Sequence, residues 1–295
     1  MANSNGWGDG AGNNAIGWGQ GANNAIGYAS VYASSNAGLT DIIGVTTDTD
    51  AQAFITAAGI TDQTQKDAIN TLVTDLKGYS IWTKFKAIYP FVGGTATTHK
   101  WNLKDPRDLD AAFRIVWGGG VTHDSNGVTG NGTNSYGDTK LRPSTAISNA
   151  SDYSFGVYNR TLGSENKIQI GTAETYSNYM FIRYSDTNTY VVFNTQSTSG
   201  VATNSQGLFT ANRRTTNSTY TEVYRNGTRF INQVKDTNLS TQTFSVLAIH
   251  NSSSYGSFSA FNVAFAFIAT GLEQTEVSNL NTAVQKFQTS LSRNV

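Results

Sequence analysis

The stretch Ser218-Thr219-Tyr220-Thr221-Glu222-Val223-Tyr224-Arg225-Asn226-Gly227-Thr228-Arg229-Phe230-Ile231-Asn232-Gln233 decides the fold class. Aromatic and β-branched residues run to Arg225 and resume at Thr228, the composition of strands. Asn226-Gly227 separates the two runs, and both residues accept the positive φ of a type I′ turn, so the segment reads as a β-hairpin. Working outward, further short runs appear at Tyr179 to Tyr184, Thr189 to Phe193, Thr243 to Ile249 and Phe258 to Ile268, split by Gly, Asn, Ser and Thr. That rhythm is the signature of a sandwich or barrel. In the last run, strict alternation places Phe261, Val263, Phe265 and Phe267 on one side, toward the core, and Asn262, Ala264 and Ala266 on the other.

Helical periods flank this β region. Asp62 followed by Gln65 fits a capping box, and Ile69, Leu72, Val73 and Leu76 follow at helical spacing until Gly78. Ile81, Trp82, Phe85, Ile88 and Tyr89 suggest a second short helix stopped by Pro90. At the other end, Thr270 with Glu273 suggests another capping box, and Val277, Leu280, Val284, Phe287 and Leu291 form the stripe of an amphipathic helix. Three parts are expected: an extended Gly/Asn-rich arm over 1–44, a helical segment over 45–98, and a β-sandwich with its C-terminal helix over 99–295.

The arm carries an imperfect repeat of about ten residues, in which Asn13-Asn14-Ala15-Ile16-Gly17 returns as Asn23-Asn24-Ala25-Ile26-Gly27. Glycine is costly to order, so such a strand needs a partner surface. Trp7, Ile16, Trp18, Ile26 and Tyr28 recur as anchors that a linker would not need. The glycine string lacks the strand before it and the helix after it that a phosphate loop requires.

Composition limits the function. Of 295 residues, 14% are charged, with 20 basic and 20 acidic side chains, against about 25% charged in an average soluble protein. Nothing here attracts nucleic acid or anionic membrane electrostatically, and an assembly subunit tolerates so little net charge better than a free monomer. Cysteine is absent, which removes disulfides, thiolate zinc sites and cysteine nucleophiles. The start of the chain has no signal-peptide pattern, and no run reaches the length of a membrane span.

Three word-like matches carry a resemblance. Gly17-Trp18-Gly19-Gln20-Gly21-Ala22-Asn23-Asn24, the block Ala53-Phe54-Ile55-Thr56-Ala57-Ala58-Gly59-Ile60-Thr61-Asp62 with Tyr89-Pro90-Phe91-Val92-Gly93-Gly94, and the ending Gly271-Leu272-Glu273 to Leu291 resemble phage virion structural proteins that carry a concanavalin-A-like (laminin-G-like) lectin/glucanase domain. The Tyr224-Arg225-Asn226-Gly227 turn is similar to a hairpin common in laminin-G-like domains. The resemblance implies a concanavalin-A-like jelly-roll β-sandwich, with a small helical insertion and a C-terminal helix, displayed as a head fibre, capsid decoration or tail protein. It implies other virion proteins as partners, a homotrimer by the usual build of fibres, assembly in the bacterial cytoplasm and residence in the virion.

Chemistry is sparse. Glycosidases need two carboxylates about the scissile bond, and no Glu-x-Asp-x-x-Glu string occurs. Glu222 has no acidic neighbour in sequence and is expected to face solvent. No catalytic residue is assigned, and the protein is expected not to be an enzyme. His99, His123 and His250 lack metal-ligand spacing. Asp105, Asp108 and Asp110, with Asp124 in a later loop, are weak candidates for calcium, although capping and solvation explain them more simply; no cofactor is expected. Carbohydrate is the alternative partner. Trp117, His123, Asn126, Asn131, Asn134 and Tyr136 combine the aromatic and amide groups of a glycan-binding loop.

Overall fold

The computed structural model describes residues 46–194, 196–234 and 237–295. The proposed arm, with Trp7, Ile16, Trp18, Ile26 and Tyr28, lies outside the described residues.

In chain order the elements are α1 (Thr49–Ala58), α2 (Gln63–Gly78), β1 (Phe85–Tyr89), α3 (Ala96–His99), β2 (Val116–Gly118), β3 (Thr122–Asp124), β4 (Gly127–Thr129), β5 (Tyr136–Asp138) and α4 (Pro143–Ala146). Then come β6 (Tyr153–Asn159), β7 (Ile170–Ala173), β8 (Ser177–Phe181), β9 (Asn188–Asn194), β10 (Gln196–Val201), β11 (Gly207–Arg213), β12 (Tyr220–Arg225) and β13 (Thr228–Val234). The chain continues through β14 (Ser245–Val246), β15 (Ile249–Asn251), β16 (Ser254–Gly256), β17 (Asn262–Thr270) and α5 (Gln274–Ser290).

The strands form the expected β-sandwich. Sheet one runs β10-β9-β8-β7-β14-β5-β2, with the β15–β16 hairpin attached to β7; sheet two runs β13-β12-β11-β6-β17-β4-β3, with β1 added to β17. Pairing is antiparallel except where β15 meets β7. The hairpin read from the sequence is present: Arg225 pairs with Thr228, and Asn226 and Gly227 take φ of 48° and 77°.

Two apolar cores result. Phe155, Phe193, Phe209 and Phe244 fill the space between the sheets. The second core lies between sheet two and the helices, where Phe54, Leu72, Leu76, Leu280 and Phe287 meet Phe265 and Phe267. Each such side chain contributes about 1.5–3 kcal/mol when fully buried, so the helices are a third layer of the fold.

Strand β17 shows how the second core is made. It runs beside β6, with β4 and then β1 on its other edge. A bulge between Val263 and Phe265 overturns the uniform alternation read from the sequence. Val263, Ala266 and Ile268 belong to the inter-sheet core, whereas Phe265, Phe267 and Ala269 belong to the helical core. One extra residue shifts the side-chain phase by half a period, so Val263 and Phe265 face opposite ways.

Two further expectations are corrected. The second helix over 81–89 is a single 3-10 turn, Trp82–Lys84, followed by strand β1. Phe85, Ile88 and Tyr89 have strand propensity, and β17 supplies an open edge that satisfies their backbone. The C-terminal helix starts after Glu273, not after Thr270, which still pairs with Tyr153 in the sheet. Its N-terminus is closed by Glu276, whose carboxylate accepts from the Glu273 N–H at 2.7 Å. Helix α2 begins as read: Asp62 accepts from the Gln65 N–H at 2.8 Å. The Gln65 side chain does not return to the cap but accepts from the Gly93 N–H. No described helix is long and apolar enough to cross a membrane.

Candidate functional site

Helices α1, α2 and α5 pack on the outer face of sheet two. On sheet one, the register assigns each side chain to a face, because partners in antiparallel strands point the same way. Met180, Ile170, Val246, Gly137 and Trp117 are aligned across the sheet and face the inter-sheet core. One residue over, Tyr179, Gly171, Ser245, Asp138 and Val116 are aligned on the outer face.

Half-buried aromatic rings populate that outer face in two groups. The first is a parallel stack. Tyr136 lies against Tyr255 with ring centroids 3.6 Å apart and planes at 8°, and His250 continues the stack at 4.4 Å and 21°. The Tyr255 hydroxyl donates to Asp138 at 2.9 Å, and Lys140 pairs with the same oxygen at 2.8 Å. Burial pushes the Asp138 carboxyl up, but hydrogen bonds from Lys140, Thr243 and Tyr255 outweigh it and hold the group below its ordinary value. Burial, with Arg142 and Lys140 nearby, lowers the pKa of His250 despite Asp138. Its Nδ1 lies 2.7 Å from the Thr243 hydroxyl. Asp138 is therefore a fixed anion beside a neutral aromatic stack.

The second group is an edge-to-face ladder. Tyr179 meets Phe181 at 5.5 Å, Phe181 meets Tyr184 at 5.3 Å, and Tyr184 meets Tyr190 at 5.5 Å. These geometries are the favoured ones for aromatic pairs. The Tyr190 hydroxyl donates to Asp186 at 2.6 Å, which fixes the last rung.

Of the six residues proposed as a glycan loop, Tyr136 is on this face. Trp117 and His123 turn inward: they meet edge-to-face at 4.8 Å, Trp117 touches Phe91 at 5.9 Å, and its ring occupies the space a Cβ on Gly137 would need. Asn131 and Asn134 hold their own loop. The Asn131 Oδ1 accepts from the N–H groups of Thr133, Asn134 and Ser135, while its Nδ2 donates to Gly119 and to Asn134. Asn126 sits in the turn from β3 to β4, its N–H donating to Asp124. Tyr255, His250, Tyr179, Phe181, Tyr184 and Tyr190 were not singled out by sequence. The alternation Tyr179, Phe181 is visible there, but which face of which sheet it joins is not.

The calcium candidates are differently employed. Asp105 forms a two-pronged pair with Arg107, Asp108 lies between Lys100 and Arg114, and Asp110 pairs with Arg114. Hydrogen bonds from these cations lower the pKa of Asp105 and of Asp108. Among the described residues no group of three or more His, Asp or Glu side chains is placed to hold a metal ion.

Glu222 is a correction. It is fully buried, not solvent-facing, and pairs with Arg214 at 2.8 Å and Arg229 at 2.6 Å. The start of α5 covers that side of the hairpin: Arg214 also pairs with Glu273, and Asn212 bonds the backbone of Leu272. A charge enclosed this way requires partners.

No protein-family model and no curated protein matches the chain. Among solved structures, it is similar to domain 4 of AbnA, a GH43 extracellular arabinanase from Geobacillus stearothermophilus, in complex with arabinotriose. The identity is 13% and the TM-score 0.42, covering 67% of this chain and 98% of that one. It is similar to a mutant Trypanosoma rangeli sialidase displaying trans-sialidase activity, at 9% identity and TM-score 0.48, covering 75% of this chain and 39% of that one. It is also similar to the botulinum neurotoxin serotype D binding domain, at 8% identity and TM-score 0.43, covering 69% of this chain and 52% of that one. The chain thus spans about half or less of the sialidase and toxin chains.

Proposed function

We propose that the sandwich is a carbohydrate-binding module that takes a glycan on the outer face of sheet one. The observation that carries this reading is the pair of half-buried ring groups on that face, the Tyr136–Tyr255–His250 stack and the Tyr179–Tyr190 ladder. Sugar rings present apolar C–H faces that aromatic side chains accept, and their hydroxyls suit a few fixed polar groups nearby. Asp138 and Thr243, each 4% exposed, sit beneath the stack and fix Tyr255 and His250 in place. Asp138 is ionised and tied to Lys140 and Tyr255, a state unsuited to general-acid catalysis. The reading is therefore binding without cleavage. Screening the full chain against a glycan array tests it: wild type binds a defined set, and Tyr179→Ala with Tyr190→Ala weakens that set while the fold persists. Silence of the wild type across the array, or release of sugar from a bound polysaccharide, overturns it.

The setting we propose is a phage particle, with the module displayed as a homotrimer and residues 1–44 inserted among other virion proteins. What supports it is the resemblance carried by Gly17 to Asn24, Ala53 to Asp62 and Gly271 to Leu291. Replacing Trp7, Trp18 and Tyr28 with Ala should leave the sandwich folded and prevent incorporation into particles; normal incorporation sinks the anchor.

A further inference from the structure

A cavity of about 210 Å³ lies at the other edge of sheet one, lined by Val201, Ala202, Thr203, Arg225, Thr228 and Phe230. It is bounded by the end of β10 on one side and by the turn end of the β12–β13 hairpin on the other. Its volume is below the roughly 300–1,000 Å³ of pockets that enclose drug-sized ligands, so it admits a single small ring.

The walls are chemically unlike one another. Phe230, held edge-on to Phe209 at 6.4 Å, and Val201, which is 65% exposed, give an apolar side. Thr203 and Thr228 add hydroxyls. Arg225 supplies the charge: its Nε donates to the Gln206 carbonyl at 2.9 Å, it forms no ion pair among the described residues, and it is half-buried. Burial lowers its pKa, as expected for a cation without an anionic partner. The turn of the hairpin that carries it is held on two sides. Asn226 Oδ1 accepts from the Leu208 N–H at 2.9 Å, and Gly227 lies close enough to α5 that a Cβ there would stand 3.3 Å from that of Asn281. The guanidinium is thus presented by a rigid element beside an aromatic face.

We propose that this cavity binds a carboxylate-bearing sugar, a uronate, with the carboxylate on the terminal nitrogens of Arg225 and the sugar's apolar face against Phe230 and Val201. A single planar guanidinium matches a carboxylate in two parallel hydrogen bonds. The site is independent of the aromatic face on sheet one, and the proposal does not rest on that reading.

The test is ligand-observed NMR and calorimetry on the full chain with glucuronate, galacturonate, glucose, galactose, acetate and glucose 6-sulfate. Wild type is expected to bind a uronate and to discriminate against the neutral parent by about tenfold or more, the equivalent of one charge-assisted hydrogen bond. Arg225→Gln should remove that preference with thermal unfolding unchanged, and Arg225→Lys, which keeps the charge and loses the fork, should reduce it. Tyr190→Ala should leave uronate binding intact, so failure of the aromatic-face reading and failure of this one are separable. Absence of uronate binding to wild type, equal binding of glucose, equal binding of acetate, preference for the sulfate, or indifference to Arg225→Gln each overturns the proposal.

Discussion

Nδ1 of His99 lies 3.1 Å from Nδ1 of His123, and Nε2 of His99 accepts from the Gly94 N–H at 3.1 Å. A neutral imidazole has one donor and one acceptor nitrogen. The proton of His99 is therefore on Nδ1, directed at His123. A further proton, on His123 Nδ1 or His99 Nε2, would oppose two donors or break the bond to Gly94.

That relationship gives the fold an acid-labile point. Burial, followed by His123 and Arg293, pushes the pKa of His99 down to about 3 from 6.5. The unfolded chain takes up the proton below about 6.5 while the folded chain refuses it, so stability from this group is complete above that value. It is lost as pH falls toward 3, by up to about 1.4 kcal/mol per pH unit. Urea denaturation at pH 7, 5.5 and 4 should show this slope, reduced in His99→Gln. An unchanged slope assigns the acid sensitivity elsewhere.

Arg293 should be the costliest residue near the C-terminus. It is 1% exposed, and its guanidinium donates to the carbonyls of Phe91, Pro90 and Ala264 and to the side chain of Gln288. The Ala264 carbonyl is at the β17 bulge, so the C-terminal tail stabilises the irregularity that sorts Val263 from Phe265. Each buried acceptor left unsatisfied costs about 1 kcal/mol or more; Arg293→Ala should therefore lose about 3 kcal/mol or more in chemical denaturation. A loss under about 1 kcal/mol would mean that water replaces the guanidinium.

Two glycines on paired strands should respond oppositely to the same substitution. A Cβ on Gly118 would come within 2.5 Å of the Tyr136 ring, at the far end of a half-buried outward side chain. A Cβ on Gly137 would come within 2.4 Å of the inward Trp117 ring and 2.9 Å of Ile115. Gly118→Ala should disturb the Tyr136–Tyr255 stack, and with it glycan binding, at a stability cost under about 1 kcal/mol, because a half-buried ring on the outer face can swing away. Gly137→Ala must overpack the core and should cost about 1–3 kcal/mol. Paired thermal melts and glycan binding separate the two.

Glu222 makes a second pH-dependent contribution. Burial raises its pKa, but hydrogen bonds from Arg214 and Arg229 outweigh that and leave it below 4.5. Its stabilising effect is present above that value and disappears as pH falls through the folded-state pKa. Glu222→Ala at pH 7 should cost about 3 kcal/mol, since it takes an anion from the enclosed Arg214 and leaves the carboxylate's buried place empty. Glu222→Gln should be nearly as stable as wild type at the lowest pH that still supports folding. A larger gap between them in acid than at neutrality contradicts this assignment.

Local physics was legible in the residues alone. Asn226-Gly227 determined a turn because few residue pairs tolerate consecutive positive φ. The Ile69 to Leu76 and Val277 to Phe287 stripes determined helices because their period matches one helical face, and the spacing of short β runs narrowed the rest to a sandwich or barrel. None of that requires knowing what lies opposite. Placement did require it. Phe85 to Tyr89 became a strand because β17 had an open edge. Val263 and Phe265 parted because a bulge shifted the phase, and Glu222 was enclosed because α5 crosses its hairpin. Tyr136 and Trp117, close in the loop that the sequence nominated, ended on opposite faces because strand register, a property of two segments together, assigns the direction of a side chain. Which sheet face the helices cover was decided by the sum of apolar contacts across the whole domain, a choice written in no single stretch of it.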